Sequence, residues 1–212
     1  MKLLRRNIRR AGYLNPIDAA APLWLWRWPI NLLMLPFLLL MPNHGANQSL
    51  ATRNPYKVEA AYLRNFAHYV TWPDDVFPNS SAPWQIVVLG PDPFGDVLES
   101  TLQGRIEQGR SFEVSRAEKL KDLPSCQILY IAYRDAMRRR AVLSGLKDKP
   151  VLTVSDAPEF LSEGGVIQFE VNDRVRMSIN LDQAHAISLT IQTPMLEVSS
   201  KVLENGVIRK VR

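Results

Sequence analysis

The chain of 212 residues is long enough for one domain with an extension, and its 46% hydrophobic content can supply a buried core. Its net charge of +5 does not mark a nucleic-acid-binding surface, because the charge is concentrated at the N-terminus. Residues 1–51 hold six basic residues and one acidic residue, which leaves 20 of each for residues 52–212. We therefore expect no nucleic-acid partner.

Residues 1–51 have the layout of an export signal. A basic start precedes an apolar segment at residues 29–41, and residues 49–51 fit a small-x-small cleavage site. The apolar segment is about half as long as a helix that crosses a bilayer. We predict a cleaved signal followed by a single domain at residues 52–212, with an uncleaved inner-membrane anchor as the alternative. Both readings place the domain outside the cytoplasm.

Residues 54–73 predict the first helix of this domain. Asn54 is a good N-cap, and Pro55 suits the first helical position. Apolar residues recur at helical spacing, which predicts a face packed on a sheet, while Glu59 and Arg64 fall mostly off that face. The residues of the apolar face are Val58, Ala61, Tyr62, Phe66, Tyr69 and Val70.

Short apolar runs alternate with helical patterns over the rest of the chain. Strands are predicted at residues 84–89, 110–114, 127–132 and 151–154, and helices at residues 93–102 and 136–146, with Asp92 and Asp135 as their N-caps. Asn172-Asp173 is a two-residue turn signal between β runs at residues 166–171 and 174–179. Further short helical segments are predicted at residues 117–120, 157–161, 184–191 and 194–203.

This alternation indicates the fold class. Strands that alternate with short helices predict an α/β domain with a mostly parallel sheet, helices on both faces and an antiparallel hairpin at one edge. We assign the hairpin to residues 166–179. In such a sheet a bound ligand lies at the carboxyl ends of the strands.

No set of catalytic residues is recognisable. The histidines are His44, His68 and His185, and the chain has no zinc-protease motif, no paired cysteines and no nucleophile elbow. We therefore predict no metal site, no cofactor and no enzymatic activity, with an exported enzyme of unrecognised type as the remaining alternative. Cys126 is the only cysteine, and its place before an apolar run predicts a buried, inert thiol, with redox sensing or an intermolecular bridge as the alternative.

The end of the first helix is one candidate binding site. Tyr69 and Trp72 lie three residues apart, and Arg64 and Asn65 precede them by one or two turns. Aromatic rings near a guanidinium suit a planar or anionic small molecule. Packing of both rings in the core is the alternative.

The strand ends are the other candidate. Ser155 and Asp156 follow a predicted strand, and Asn180 ends the second strand of the predicted hairpin. Together with Tyr69, these residues would line the cleft of a small-molecule receptor that serves a membrane sensor kinase or transporter. Ser155 and Asp156 also suit a plain helix cap, which is the alternative reading.

The first helix and the segments after it carry a family resemblance. The helix reads Lys-x-x-Ala-Ala-x-Leu-x-Asn-Phe-Ala-x-Tyr-Val-x-Trp-Pro and resembles the opening of the YfiR-like family of periplasmic regulators. Residues 87–95, 126–131, 151–156, 160–167, 177–180 and 199–203 resemble its later motifs in order. The matching residues of the helix are Lys57, Ala60, Ala61, Leu63, Asn65, Phe66, Ala67, Tyr69, Val70, Trp72 and Pro73.

The resemblance covers about residues 55–205 and implies a regulator in the periplasm. The characterised type binds the periplasmic sensor part of an inner-membrane diguanylate cyclase, inhibits it, and so lowers cyclic-di-GMP and biofilm formation. A sensor kinase is the alternative partner. The resemblance also implies a homodimer, and control by an outer-membrane lipoprotein, by redox state or by small molecules. With one cysteine, control by an intrachain disulfide cannot operate here.

An inhibitory module of this kind needs an exposed apolar patch for its partner. We predict the patch around the glycine pair after the fourth strand, with the C-terminal helix as the alternative. The residues of the predicted patch are Phe160, Leu161, Gly164, Gly165 and Val166.

Overall fold

The computed structural model describes residues 54–211, so the predicted export signal lies outside the described residues. The first element is helix α1 (Pro55–Tyr69), and its predicted start is confirmed. The Asn54 side chain accepts a hydrogen bond from the backbone N–H of Tyr56 at 3.1 Å. The helix ends earlier than predicted, because the chain becomes extended at Val70 and enters a short strand.

Ten strands and five α-helices follow one another over the described residues. The strands are β1 (Val70–Thr71), β2 (Trp84–Leu89), β3 (Phe112–Ala117), β4 (Ile128–Ile131), β5 (Leu152–Ser155), β6 (Ile167–Val171), β7 (Val175–Asn180), β8 (Thr190–Ile191), β9 (Lys201–Glu204) and β10 (Val207–Lys210). The helices after α1 are α2 (Val97–Leu102), α3 (Ala136–Gly145), α4 (Leu181–Ala186) and α5 (Thr193–Glu197). Single 3-10 turns lie at Asp74–Val76 and Leu120–Asp122.

Eight of these strands form one sheet in the order β10-β9-β7-β6-β5-β4-β2-β3. Strands β2 to β6 are parallel to one another, and so are β7 and β9, whereas the β6–β7 and β9–β10 pairs are antiparallel. Strand β1 pairs with β8 in a separate two-stranded sheet. The predicted α/β class with a mostly parallel sheet is confirmed.

Helices cover both faces of the sheet, as predicted. In β2 the side chains of Ile86 and Val88 pack beneath α1 and α2, and those of Val87 and Leu89 pack on the α3 side. Two apolar clusters therefore lie on opposite faces of the same strands. An uninterrupted apolar run such as β2 is what a strand buried on both faces requires.

The buried face of α1 differs from the predicted face. Ala60, Leu63 and Ala67 are completely buried, whereas Val58 and Tyr62 are only half-buried. Glu59, which the spacing placed off the face, is also completely buried. The helix therefore turns its Glu59 side toward the sheet, where the Tyr130 hydroxyl donates a hydrogen bond to the carboxyl.

Several predictions for short elements between β2 and β6 are wrong. Helix α2 begins only at Val97, because Asp92 accepts from the backbone N–H of Phe94 in a tight turn and does not cap a helix. Residues 157–161 form consecutive turns and not a helix. The predicted helical turn at residues 117–120 is replaced by the end of β3 and a 3-10 turn at Leu120–Asp122. The cap of α3 by Asp135 is confirmed, since its carboxylate accepts from the backbone N–H of Arg138 at 2.8 Å.

The C-terminal part also differs from the prediction. The helix predicted at residues 194–203 is a short helix, α5, followed by strand β9, so the last residues of that segment are extended from Lys201 onward. Residues 184–191 contain the end of α4 and strand β8. Val202 pairs with Ile179 of β7 and is buried there, which explains why the segment is extended.

A hairpin does occupy one edge of the sheet, but it is formed by β9 and β10. The predicted hairpin at residues 166–179 is present as β6–β7 and lies inside the sheet. The edge hairpin turns at Asn205 and Gly206, whose φ angles of 53° and 72° fit a type I′ turn. We call residues 201–210 the C-terminal hairpin.

Candidate functional site

The carboxyl ends of the parallel strands meet the first two turns of α1. Glu59 of α1 lies beside Tyr130 of β4, and Arg134 and Asp156 follow β4 and β5. Rings from α1 and from the segment before α2 close this region, because Phe94 contacts both Tyr56 and Tyr130 edge-on. The centroid distances are 5.6 Å to Tyr56 and 4.7 Å to Tyr130.

Glu59 and Tyr130 form a buried pair, which we call the acid pair. The Tyr130 hydroxyl donates to Oε2 of Glu59 at 3.0 Å, and among residues 54–211 Oε1 has no hydrogen-bond partner. Burial raises the pKa of Glu59 to about 8, and the charge of Asp156 acts in the same direction. The carboxyl therefore holds a proton at neutral pH, which reduces the cost of its burial.

An ion pair lies next to the acid pair at the surface. Arg134 donates to Asp156 at 2.9 Å, and the Arg134 side chain is 66% exposed while that of Asp156 is 12% exposed. Asp156 is the main cause of the raised pKa of Arg134. The pair is screened by water on one side, so it holds the two side chains in place and adds little to the stability of the fold.

A crevice opens beside this ion pair along the ends of β2, β3 and β4 and the first turns of α3. It has two adjoining lobes of about 890 and 450 Å³ that share Pro91, Asp92, Tyr133 and Arg138. We call it the carboxyl-end crevice. A crevice at this end of a parallel sheet is where α/β proteins bind ligands.

One wall of the crevice is held by a charged network. Arg116 donates through Nε to Asp92 at 2.7 Å, and its other nitrogens donate to Glu99 and to the backbone carbonyl of Gly95. These hydrogen bonds raise the pKa of Arg116 further above its usual range. All the charged groups of this network are therefore engaged with one another.

The two predicted ligand groups lie at opposite ends of α1. Arg64, Asn65 and Tyr69 share a hollow at the C-terminal end of the helix, whereas Asp156 lies beside its N-terminal end. A helix of 15 residues is about 22 Å long, so Tyr69 does not join Asp156 in one cleft. Trp72 is buried against Trp84 at a ring-centroid distance of 5.0 Å.

The polar residues at the strand ends serve the fold. Ser155 is buried, and its hydroxyl donates to the carbonyl of Ile131 at 2.7 Å. Asn180 is buried as well, caps α4 and donates to the carbonyl of Leu161. Of the predicted strand-end residues, Asp156 alone lines the carboxyl-end crevice.

The predicted partner patch is not an exposed surface. Phe160 and Val166 are completely buried, Gly165 is buried, and Leu161 and Gly164 are half-buried. Gly165 lies so close to the Phe160 ring that an added Cβ would come within 2.2 Å of it. The segment around the glycine pair therefore contributes to the core, with Phe160 on the α3 side and Val166 on the α1 side, which corrects the prediction of an exposed apolar patch.

The C-terminal hairpin is the exposed apolar feature that sequence reasoning missed. Strand β10 lies at the edge of the sheet, and all four of its residues are exposed. Val207 and Ile208 are 59% and 62% exposed and stand beside Arg209 and Lys210. The Asn205-Gly206 pair is a strong hairpin signal that would have revealed this strand.

Cys126 and His68 lie outside the acid pair and the carboxyl-end crevice. The prediction for Cys126 is confirmed as far as burial goes, and burial raises the pKa of its thiol to about 12, which keeps it protonated. The side chain of His68 is 55% exposed and lies 2.8 Å from Glu107.

Within residues 54–211 no three metal-ligating side chains come together, and no helix there is long and apolar enough to cross a membrane.

The geometry defines an α/β domain with a crevice at one end of its sheet and, among residues 54–211, an edge strand whose outer side pairs with no other strand. The YfiR/HmsC-like family matches residues 56–200, which is more than half of the chain. The chain therefore belongs to the YfiR/HmsC-like family, whose members are regulators rather than enzymes.

Proposed function

We propose that the protein is an exported regulator that acts in the periplasm. It binds the sensor part of an inner-membrane signalling protein, a diguanylate cyclase, holds it in its inactive conformation and so lowers cyclic-di-GMP. The observation that carries this proposal is the family match over residues 56–200, which begins in α1 and ends next to β9.

Inhibition of this kind requires binding and no chemistry. A ligand shifts a two-state equilibrium only by the difference in its affinity for the two states. To move a partner from 99% active to 99% inactive, that difference must be about 5.5 kcal/mol. A protein contact of ordinary size can supply it, so the absence of a recognisable catalytic set in the sequence raises no difficulty.

The C-terminal hairpin is the contact surface in this proposal. Within residues 54–211 the outer edge of β10 pairs with no other strand, so its backbone N–H and C=O groups are available to an extended segment of the partner. Val207 and Ile208 add apolar area, and Lys210 favours a segment with acidic side chains, whereas Arg209 is already paired with Glu204 of β9. This surface takes the place of the buried segment at residues 160–166.

A crosslinking pull-down from cells tests the proposal. We would compare the native protein with Ile208→Asp and with Ile106→Asp as the matched control, because Ile106 is 71% exposed and lies outside the hairpin. We expect the native protein and Ile106→Asp to recover an inner-membrane signalling protein, and Ile208→Asp to lose it. Recovery of no membrane protein by the native chain would overturn the function. Equal recovery by Ile208→Asp would overturn only the contact surface.

A further inference from the structure

The carboxyl-end crevice has the size and the lining of a site for a small organic molecule. Its larger lobe, of about 890 Å³, lies between α3 and the segment that follows β3. The walls there are mostly apolar, with Ala117, Leu120, Ala141 and Val142 facing the opening. Ligand sites are typically apolar hollows of this size that contain a few polar groups.

One guanidinium of the crevice has no anionic partner among the described residues. Arg138 belongs to both lobes, and among the described residues no carboxylate lies within ion-pair distance of its guanidinium. The neighbouring arginines differ in this respect, because Arg116 is held by Asp92 and Glu99 and Arg134 is held by Asp156. Arg138 is thus the guanidinium whose donors remain available to a ligand.

The ring of Tyr133 helps to hold the guanidinium of Arg138 in place. Its guanidinium carbon lies 5.7 Å from the centroid of the Tyr133 ring, a distance at which a cation is attracted by an aromatic face. Tyr133 is itself fixed, because its hydroxyl donates to the carbonyl of Glu118. Its ring also lies against Gly90, where an added Cβ would come within 2.8 Å. A guanidinium held over a fixed ring loses less freedom when it binds an anion.

The remaining charges favour a ligand with a single negative charge. Lys119 and Glu118 also line the larger lobe, and neither forms an ion pair with another described residue. The charges of Lys119 and Glu118 offset each other, and Asp135 in the smaller lobe uses its carboxylate to cap α3, which leaves Arg138 as the guanidinium without an anionic partner. A carboxylate matches that charge and accepts the two parallel hydrogen bonds that a guanidinium offers.

We propose that the carboxyl-end crevice binds a small carboxylic acid with an apolar body, which pairs its carboxylate with Arg138 and lays its body against α3 and the segment after β3. This site goes beyond the proposed function, because it lies away from the C-terminal hairpin and its occupancy does not depend on any protein partner. It also differs from both groups of ligand residues predicted from the sequence, except that Asp156 borders its smaller lobe.

Ligand-observed NMR with phenylacetate as the probe tests this site directly on the purified protein. We expect phenylacetate to bind and its neutral amide, phenylacetamide, to bind at least tenfold more weakly, since charged hydrogen bonds carry that much affinity. Inorganic phosphate is the third probe and is expected to bind more weakly than phenylacetate because it has no apolar body. Absence of phenylacetate binding, or equal binding of the amide or of phosphate, would overturn the proposal.

Variants on helix α3 locate the site. We expect Arg138→Gln to raise the Kd for phenylacetate at least tenfold and Arg140→Gln to leave it unchanged, because Arg140 lies on the same helix outside the crevice lining. Ala141→Leu should fill the larger lobe and abolish binding, whereas Ser144→Leu, also exposed on α3, should not. Circular dichroism checks that all four variants fold. Unchanged binding in both Arg138→Gln and Ala141→Leu would contradict the assignment of the probe to this crevice.

Discussion

Two apolar segments near glycines differ in their exposure to solvent. Residues 160–166 surround a glycine pair and are largely buried, whereas the C-terminal hairpin turns at Gly206 and exposes Val207 and Ile208. Both segments are apolar enough to enter a core. The difference shows that composition identifies residues that can be buried, and that the topology of the sheet decides which of them are.

The topology explains the difference in physical terms. Residues 157–165 cross the α3 side of the sheet, where Phe160 joins the apolar cluster and the backbone N–H of Leu161 donates to Gln168 of β6. Strand β10 lies beyond β9 at the end of the sheet, where no described strand adds to its outer edge. A buried segment contributes to folding, and an exposed edge is available for binding.

The largest effect is expected from the buried segment. Phe160→Ala should lower the free energy of unfolding by about 3–5 kcal/mol, because it removes a completely buried ring and leaves a cavity. Denaturant unfolding measures this loss, and Val207→Ala at the exposed segment is the matched control, with an expected change within about 0.5 kcal/mol. Similar losses for the two variants would contradict the conclusion that Phe160 stabilises the core and Val207 does not.

The buried acid pair makes the free energy of unfolding depend on pH. The pKa of Glu59 is about 8 in the folded protein and ordinary in the unfolded chain, so the folded state binds the proton more tightly. The native protein should therefore be most stable below about pH 4.5 with respect to this group, and should lose on the order of 4 kcal/mol as the pH rises to 8.

Glu59→Gln isolates that contribution. The amide keeps an acceptor for the Tyr130 hydroxyl and cannot ionise, so the variant should lack this loss of stability between pH 4.5 and 8. The measurement is the free energy of unfolding at several pH values for both proteins. The difference in favour of the variant should grow with pH, and parallel pH profiles would mean that Glu59 does not hold its proton in the folded state.

The turn of the C-terminal hairpin should show a smaller effect. Gly206 has a φ angle of 72°, which costs an alanine about 1 kcal/mol, while asparagine tolerates this region better. Gly206→Ala should therefore increase hydrogen exchange in β9 and β10 and leave β2 and β4 unchanged, and Gly206→Asn should lie closer to the native protein. A change spread over the whole sheet would contradict the view that the hairpin opens locally.

The smallest effect on stability is expected at the proposed contact surface itself. Ile208→Ser should change the free energy of unfolding by no more than about 0.5 kcal/mol, because the side chain is 62% exposed. Thermal unfolding of the purified variant measures this. A large loss would mean that Ile208 stabilises the fold and is not free for a partner.

Short-range patterns in the sequence were enough to predict most of the fold. The Asn54 cap, the Asp135 cap and the apolar runs of β2 and β4 are short-range patterns with a direct physical cause, and they are confirmed. Glu59 was missed because its burial depends on a hydroxyl of β4, which is 71 positions away in the chain. No periodicity in α1 contains that information.

The candidate site was predicted less well, for related reasons. Tyr69 and Asp156 were grouped without knowledge of which end of α1 meets the carboxyl ends of the strands. Arg138 is one of three consecutive arginines in the sequence, and only the fold places it over Tyr133. The hairpin at Asn205 is within reach of sequence reasoning, because the Asn205-Gly206 turn signal is present in the sequence.

Cyclic-di-GMP measured in cells tests the central proposal most directly. The comparison is among the native strain, a strain that lacks the protein, and the deletion strain complemented with native protein, Ile106→Asp or Ile208→Asp. We predict that cyclic-di-GMP rises on deletion, returns to the native level with native protein or Ile106→Asp, and stays high with Ile208→Asp. An unchanged level on deletion would contradict the proposal that the protein represses a diguanylate cyclase.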